Sequence, residues 1–251
     1  MTTYQNYING KFIDAADTHD VINPSTGQVL AHAPSSDIAA VNEAVAAAKA
    51  AQVHWAELPN IERAGYLTAI AAKLRDNVDR FARYLVEEQG KVQALAEVEV
   101  SFTADYFDYM AGWARRLEGE VIPSDRPGEM IFLTYDPIGV VGGILPWNFP
   151  FFLIARKMAP ALLTGNTIVI KPSMETPINA FEFCKIVDEV GLPAGVFNMV
   201  GGSGRKIGEA LTTHPDVGLI SMTGSVDVGK RIMEQAGSTL TRVNLELGGK
   251  A

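Results

Sequence analysis

Asn148 is a polar amide on a stiff turn. Prolines at 146 and 150 bracket Trp147 and Asn148, and proline restricts both its own backbone and that of the residue before it. The apolar run Ile138 to Leu145 before this turn predicts a buried strand, and Phe151 to Leu163 after it predicts a helix. In an open α/β sheet, a turn of this kind stands at the carboxyl end of a strand, where ligands bind. Taken alone, Asn148 reads first as a turn asparagine beside a packed tryptophan.

Three more turns carry unusual residues. Lys171-Pro172-Ser173 follows an apolar strand directly. A lysine there can donate to ribose hydroxyls or phosphate, or it is a solvated loop lysine. Gly201-Gly202-Ser203-Gly204-Arg205-Lys206-Ile207-Gly208 brings glycines to the start of a helix, where backbone N–H groups can approach an anion. Its spacing is not the Gly-x-Gly-x-x-Gly of the ordinary dinucleotide fingerprint. Thr223-Gly224-Ser225 opens a further helix, with Gly229 five residues beyond Gly224. At the end of the chain Glu246 stands in an apolar strand; burial there would raise its pKa and suit it to general-base work, and local pairing is the plainer use. Four turns at one edge of one sheet point to a nucleotide.

The elements that must position these residues are legible from residue 138 onward. Strand patterns at 140–145, 167–170, 196–200, 217–222 and 240–245 alternate with helical patterns at 151–163, 178–190, 205–213 and 225–235. Five strands and four helices in alternation predict a doubly wound parallel sheet of the α/β class. Upstream, Asn9-Gly10 signals a hairpin and Asn23-Pro24-Ser25-Thr26-Gly27 another turn. Ser36 or Asp37 caps a first helix carrying Val41, Val45 and Ala48. A second carries Ala64, Leu67, Ala71 and Leu74, and a third with Phe81 and Leu85 ends near Gly90. A fourth, from Ala94 to Leu117, bears Phe102, Tyr106, Phe107, Tyr109 and Trp113, a stripe suited to core or subunit contact. Residues 118–137 read as a two-stranded ribbon without a core of its own, an edge hairpin or an arm for another subunit. The expected divisions are therefore 1–117, 118–137 and 138–251.

Composition removes several classes. At 251 residues, with mean hydropathy +0.09 and 20% charged residues, the chain has ordinary globular character. No apolar run spans a bilayer without a charge, and the first residues lack a signal peptide's blocks. One cysteine, Cys184, excludes an internal disulfide and a cysteine-based metal site; no metal is expected, and a cytoplasmic location is. The net charge of −8 disfavours nucleic acid, while residues 139–251, with 9 acids and 10 bases, leave room for an anionic dinucleotide.

Leu145-Pro146-Trp147-Asn148-Phe149-Pro150, Lys171-Pro172-Ser173, Thr223-Gly224-Ser225 with Gly229, and Leu245-Glu246-Leu247-Gly248-Gly249-Lys250 occur in the order and spacing of the NAD(P)-dependent aldehyde dehydrogenase superfamily, which the chain resembles along its whole length. Segments 102–106, 113–116 and 124–129 are most similar to the bacterial lactaldehyde and glycolaldehyde branch. The resemblance implies an aldehyde-dehydrogenase-type fold, a Rossmann-like sheet preceded by helices, with residues 118–137 as an oligomerisation arm of a dimer or tetramer. It implies a cysteine thiolate attacking a small aldehyde, hydride passing to NAD, and water hydrolysing the thioester. Asn148 would donate to the oxyanion and Glu246 would activate the cysteine or the water. Lys171, Ser173 and Met174 would meet the adenosine ribose. Gly204, Gly208, Thr223, Gly224, Ser225 and Val228 would surround the pyrophosphate and adenosine, while Ile144, Leu145, Pro146, Trp147 and Leu247 would wall the cleft. Phe149, Phe152 and Arg156 would border the aldehyde tunnel.

Three departures qualify this. The family's nucleophile lies beyond the glutamate motif, so the chain reads as an amino-terminal portion lacking the catalytic domain, inactive by itself; Cys184, mid-helix, reads as a buried structural thiol. Met174 replaces the glutamate common in NAD-preferring members, which keeps NADP open beside NAD. Arg156, at i+8 from Asn148, is placed on the same helix face and suits a hydroxylated or anionic aldehyde; otherwise it is a surface arginine beside Lys157. A module that binds a dinucleotide or a partner without catalysis is the alternative from another class.

Overall fold

Asn9 and Gly10 both adopt positive φ, 52° and 70°, the geometry of a tight hairpin turn. After β1 (Thr2–Thr3), this turn joins β2 (Asn6–Ile8) to β3 (Lys11–Ile13). The computed structural model describes residues 1–250. Next come β4 (Thr18–Ile22) and β5 (Val29–Pro34), then α1 (Ile38–Glu57), α2 (Asn60–Arg75), α3 (Val78–Gln89) and α4 (Gln93–Ala111). The Asp37 side chain caps α1 by accepting from the Ala40 N–H, and Gly90 closes α3 in the left-handed conformation, as the residue types dictate. α4 is shorter than its apolar pattern: at Gly112 the chain tightens into turns, with Trp113 N–H on Met110 O and Arg116 N–H on Trp113 O.

The ribbon follows as β6 (Glu120–Pro123) and β7 (Met130–Leu133), paired only with each other and exposed throughout. Then alternation begins: β8 (Val140–Ile144), α5 (Phe152–Leu163), β9 (Thr167–Lys171), α6 (Ile178–Val190), β10 (Phe197–Met199), a π-turn at Gly204–Gly208 leading into α7 (Glu209–Thr212), β11 (Val217–Gly224), α8 (Val226–Ala236) and β12 (Arg242–Leu247).

The main sheet runs β12-β11-β8-β9-β10-β2-β3. Its first five strands are parallel, as the alternation predicts. It has seven strands rather than five, because the amino-terminal hairpin adds to β10 antiparallel, Tyr7 opposite Met199. The order reverses between β8 and β11. One face is covered by α5 and α6 with α2–α4 behind them, in a core that includes Trp55, Leu67, Phe81, Phe107, Phe151 and Phe183. The other is covered by α1, α7 and α8 through Val41, Val45, Leu211 and Ile232. Helices from the first 117 residues thus complete both faces. No helix is long and apolar enough to cross a membrane among the described residues.

Two helices of the sheet lack caps of their own. Glu99 of α4 accepts from the N–H groups of Phe151 (2.9 Å) and Phe152 (3.2 Å) at the start of α5. Glu88 of α3 accepts from Ile178 (2.7 Å) and Asn179 (2.9 Å) at the start of α6. Each buried carboxylate satisfies the free donors of a helix end.

Candidate active site

The sheet's register brings the chosen turns to one edge. Ile144 pairs with Lys171 and with Met222, Thr223 with Glu246, and Gly224 with Leu247. The carboxyl ends of β8, β9, β11 and β12 are therefore level, and the reversal between β8 and β11 opens a crevice there.

After β8, Ile144 and Leu145 are buried while Trp147 is 60% exposed; Pro146 is half-buried and Asn148 exposed. The Gln89 side-chain amide donates to the carbonyls of Trp147 (2.9 Å) and Asn148 (2.6 Å), so the backbone is held while the Asn148 side chain stands at the sheet edge. Phe149 packs edge-on against Phe152 at 5.9 Å, and Phe152 lies tilted against Phe102 at 4.6 Å and meets Tyr106 edge-on at 5.5 Å. The aromatic stripe of α4 thus divides: Phe107 enters the core, while half-exposed Phe102 and Tyr106 extend the wall that Phe149 and Phe152 begin.

Lys171 is buried, not a solvated loop lysine. Its Nζ donates to Pro172 O at 2.6 Å, and burial lowers its pKa to about 8. Gly208 backs onto it: a Cβ there would stand 3.9 Å from Lys171 Cδ. Gly204 is exposed, and Ser203 caps the π-turn. Ser173 Oγ accepts from Glu175 N–H, and Met174, through its carbonyl, from the His19 ring. Ser225 Oγ caps its own helix, accepting from Val228 N–H at 3.3 Å. Gly229 lets α8 approach β12; a Cβ there would lie 2.6 Å from Leu247 Cδ2. Val228 and Leu247 are exposed along the same rim.

Two expectations need correction. Glu246 is not buried: its side chain is half exposed, because β12 is the outermost strand. Arg156 does not share a helix face with Asn148, since α5 begins only at Phe152. What the fold does instead is join Arg156 to Glu246, guanidinium to carboxylate, at 3.4 Å.

Lys157 was missed. Named from sequence only as the neighbour of Arg156, it is buried, with Nζ 3.1 Å from both Ser221 Oγ and Thr223 Oγ1. Burial lowers its pKa to about 8, the Glu246 carboxylate opposing and Arg156 adding to the shift. The signal was available: Lys157 lies between Ile154 and Ala161 on a helix that is apolar on nearly every side.

The aldehyde dehydrogenase family matches residues 12–251. The chain belongs to that family. It is 57% identical to lactaldehyde dehydrogenase of Escherichia coli (strain K12), over 98% of this chain and 52% of that one. It is 43% identical to 3,6-anhydro-alpha-L-galactose dehydrogenase of Vibrio sp. (strain EJY3), over 100% and 53%. The solved structure of E. coli lactaldehyde dehydrogenase superposes with TM-score 0.98 at 56% identity, covering 100% of this chain and 53% of that one. That of 3,6-anhydro-L-galactose dehydrogenase in complex with NAP gives 0.97 at 40%, covering 100% and 53%. The chain spans about half the length of the curated relatives it matches. Its fold is that of an aldehyde dehydrogenase, with the parallel sheet, the flanking helices and the exposed ribbon in place.

Proposed function

We propose that this chain forms the cofactor-binding part and half of the active site of an NAD(P)-dependent dehydrogenase for a small hydroxyaldehyde such as lactaldehyde or glycolaldehyde. The observation that carries the reading is the alignment of Asn148, Lys171, Thr223-Gly224-Ser225 and Glu246 along one sheet edge at the β8/β11 reversal.

The residues fit a dinucleotide. Lys171 uses one of its three N–H groups on Pro172 O and keeps donors for ribose hydroxyls. α8 presents the start of an 11-residue helix at Ser225, suited to a pyrophosphate. Ile144, Leu145, Pro146, Trp147, Val228 and Leu247 supply apolar walls, Ser173, Met174, Gly204 and Gly208 stand on the Lys171 side of the cleft, and Thr223 stands at the end of β11 beside α8. The cofactor, when bound, accepts the hydride. NAD is the proposed partner; Met174 offers no carboxylate to repel a 2′-phosphate, so NADP is the alternative, and the ratio of the two dissociation constants decides.

Within the site, Asn148 donates its amide to the oxygen that becomes negative as the aldehyde is attacked. Glu246 accepts the proton of the attacking group, and Lys157, which exchanges its proton near pH 8, lies close enough to feel that charge. Phe149 and Phe152 border the aldehyde, and Arg156 faces its hydroxyl end. Cys184 is fully buried, its Sγ on Ala180 O, and burial pushes its thiol pKa up; it is no nucleophile. The β6–β7 ribbon, with Val121, Ile122, Ile131 and Phe132 exposed, is proposed as the arm that builds a dimer or tetramer.

The test is a fluorescence titration of the 251-residue chain with NADH and NADPH, with Trp147→Phe as control. Saturable energy transfer that Trp147→Phe diminishes, together with no NADH production from NAD and lactaldehyde, is expected. Absence of binding to both cofactors overturns the reading, and turnover by the chain overturns its inactivity.

A further inference from the structure

The turn that carries Asn148 is gripped from outside by three side chains of the α3–α4 corner. Gln89 donates to the carbonyls of Trp147 and Asn148. Lys91 Nζ lies 3.3 Å from the same Asn148 carbonyl and 4.2 Å above the centre of the Phe149 ring. It also pairs with the fully buried Glu99, whose other oxygen accepts from the N–H groups of Phe151 and Phe152. Of the residues from Trp147 to Phe152, only Pro150, which has no N–H to offer, lacks such a contact. Gly90 makes the grip possible. Its φ of 76° turns the chain between Gln89 and Lys91 in a way L side chains resist, so both neighbours reach one turn.

A helix cap alone would need only Glu99. The holds on the carbonyls of Trp147 and Asn148 lie outside α5 and act on the residue proposed to donate to the oxyanion. A charged contact from Lys91 joins the two neutral ones from Gln89 there, and the ammonium of Lys91 is neutralised by a carboxylate that is itself fixed by two backbone donors. Of these polar atoms Gln89 Oε1 alone is buried without a partner; the remaining contacts restrain the turn. Prolines 146 and 150 stiffen the turn locally; they do not say where it points. Gln89, Lys91 and Glu99 do.

We propose that Gln89, Lys91 and Glu99 form a clamp whose task is to aim the Asn148 amide, making them positioning residues for the oxyanion site. This rests on the role given to Asn148 above. Misplacing a catalytic group by about 1 Å costs on the order of 100-fold in rate, which sets the scale of the effect.

The experiment is a double-mutant cycle in the full-length enzyme, using Gln89→Ala, Lys91→Met and Lys91→Arg, each alone and with Asn148→Ala. The measurements are kcat with lactaldehyde, the KM for NAD and the melting temperature. Gln89→Ala and Lys91→Met should each lower kcat about 10- to 100-fold, and for Lys91→Met, which does not touch Trp147, the KM for NAD should stay within about twofold. Lys91→Arg should recover most of that loss. In the Asn148→Ala background neither substitution should lower kcat further by more than about twofold. Losses that add to that of Asn148→Ala, or a kcat unaltered by both single substitutions, overturn the clamp. A kcat unaltered by Asn148→Ala instead overturns the oxyanion role, and the clamp with it. Should Lys91→Met fail to fold, Gln89→Ala at the partly exposed end of α3 decides by the same criteria.

Discussion

The Arg156 guanidinium and the Glu246 carboxylate lie 3.4 Å apart, one on α5 and the other on the edge strand β12. Each side chain is about half exposed, so the pair contributes no more than about 1 kcal/mol and opens readily. The contact uses only Oε1 of Glu246 and leaves Oε2 free to accept a proton; a substrate hydroxyl that draws Arg156 away would free Oε1 as well.

Replacing Arg156 by leucine should alter the stability of the 251-residue chain by less than about 1 kcal/mol; in an enzyme of its relatives' full length it should raise the KM for lactaldehyde and glycolaldehyde while leaving that for propanal within about twofold. An equal rise for propanal would remove Arg156 from substrate recognition.

Lys171→Met should weaken NADH binding by the chain about 10- to 100-fold, the equivalent of roughly 1.5–3 kcal/mol for hydrogen bonds from a charged donor. Its melting temperature should hold or rise, since a buried amine whose pKa burial has lowered to about 8 is replaced by an apolar chain. NADH titration and thermal melting of the same sample check both. Unweakened binding would place the ribose elsewhere.

Burial raises the Glu88 pKa to about 7, against the opposing hydrogen bonds from Asn179 and Ile178, with Glu99 adding to the rise. The folded chain thus holds this proton more tightly than the unfolded chain, where the group returns to about 4.3. Its contribution to stability is full below that lower value and is lost as pH rises through about 7. Compared with Glu88→Gln, the native chain should lose on the order of 3 kcal/mol between pH 4.5 and pH 8. Urea unfolding at a series of pH values measures the difference, and parallel curves for the two proteins would refute it.

Gly142 stands in the middle of β8 where a Cβ would lie 2.5 Å from Ile220 Cδ1 and 3.0 Å from Leu211 Cγ. Gly142→Ala should destabilise the chain by about 1–3 kcal/mol through overpacking, read from the urea midpoint at unchanged slope. A midpoint equal to the native one would mean that α7 yields to the new methyl group.

The parallel sheet and its edge were legible because each strand is a short apolar run closed by glycine or proline, and because four such closures carried an amide, an amine, glycines or hydroxyls that a nucleotide can use. Three features were not. Glu246 sits among leucines in sequence, yet β12 has a neighbour on one side only, so alternation in an edge strand exposes what it would bury in a central one. Arg156 and Lys157 are adjacent, and the apolar neighbours Ile154 and Ala161 mark Lys157 as the inward one; the hydroxyls it meets depend on where α5 lies against β11. The hold of Glu88 and Glu99 on α6 and α5 spans 90 and 52 positions, and nothing local announces it: Thr176, which precedes Pro177 and α6, turns its hydroxyl to the Trp147 carbonyl instead.

The hairpin that widens the sheet also sets an order of events. Asn6 accepts from the backbone of Gly201, 195 positions away, and Tyr7 lies opposite Met199. On a ribosome adding 5–20 residues each second, β2 and β3 wait roughly 10 to 40 s for the strand they join. Throughout that interval Tyr7 and Ile8, buried in the folded chain, have no sheet to cover them, and the nascent hairpin is open to capture by a chaperone.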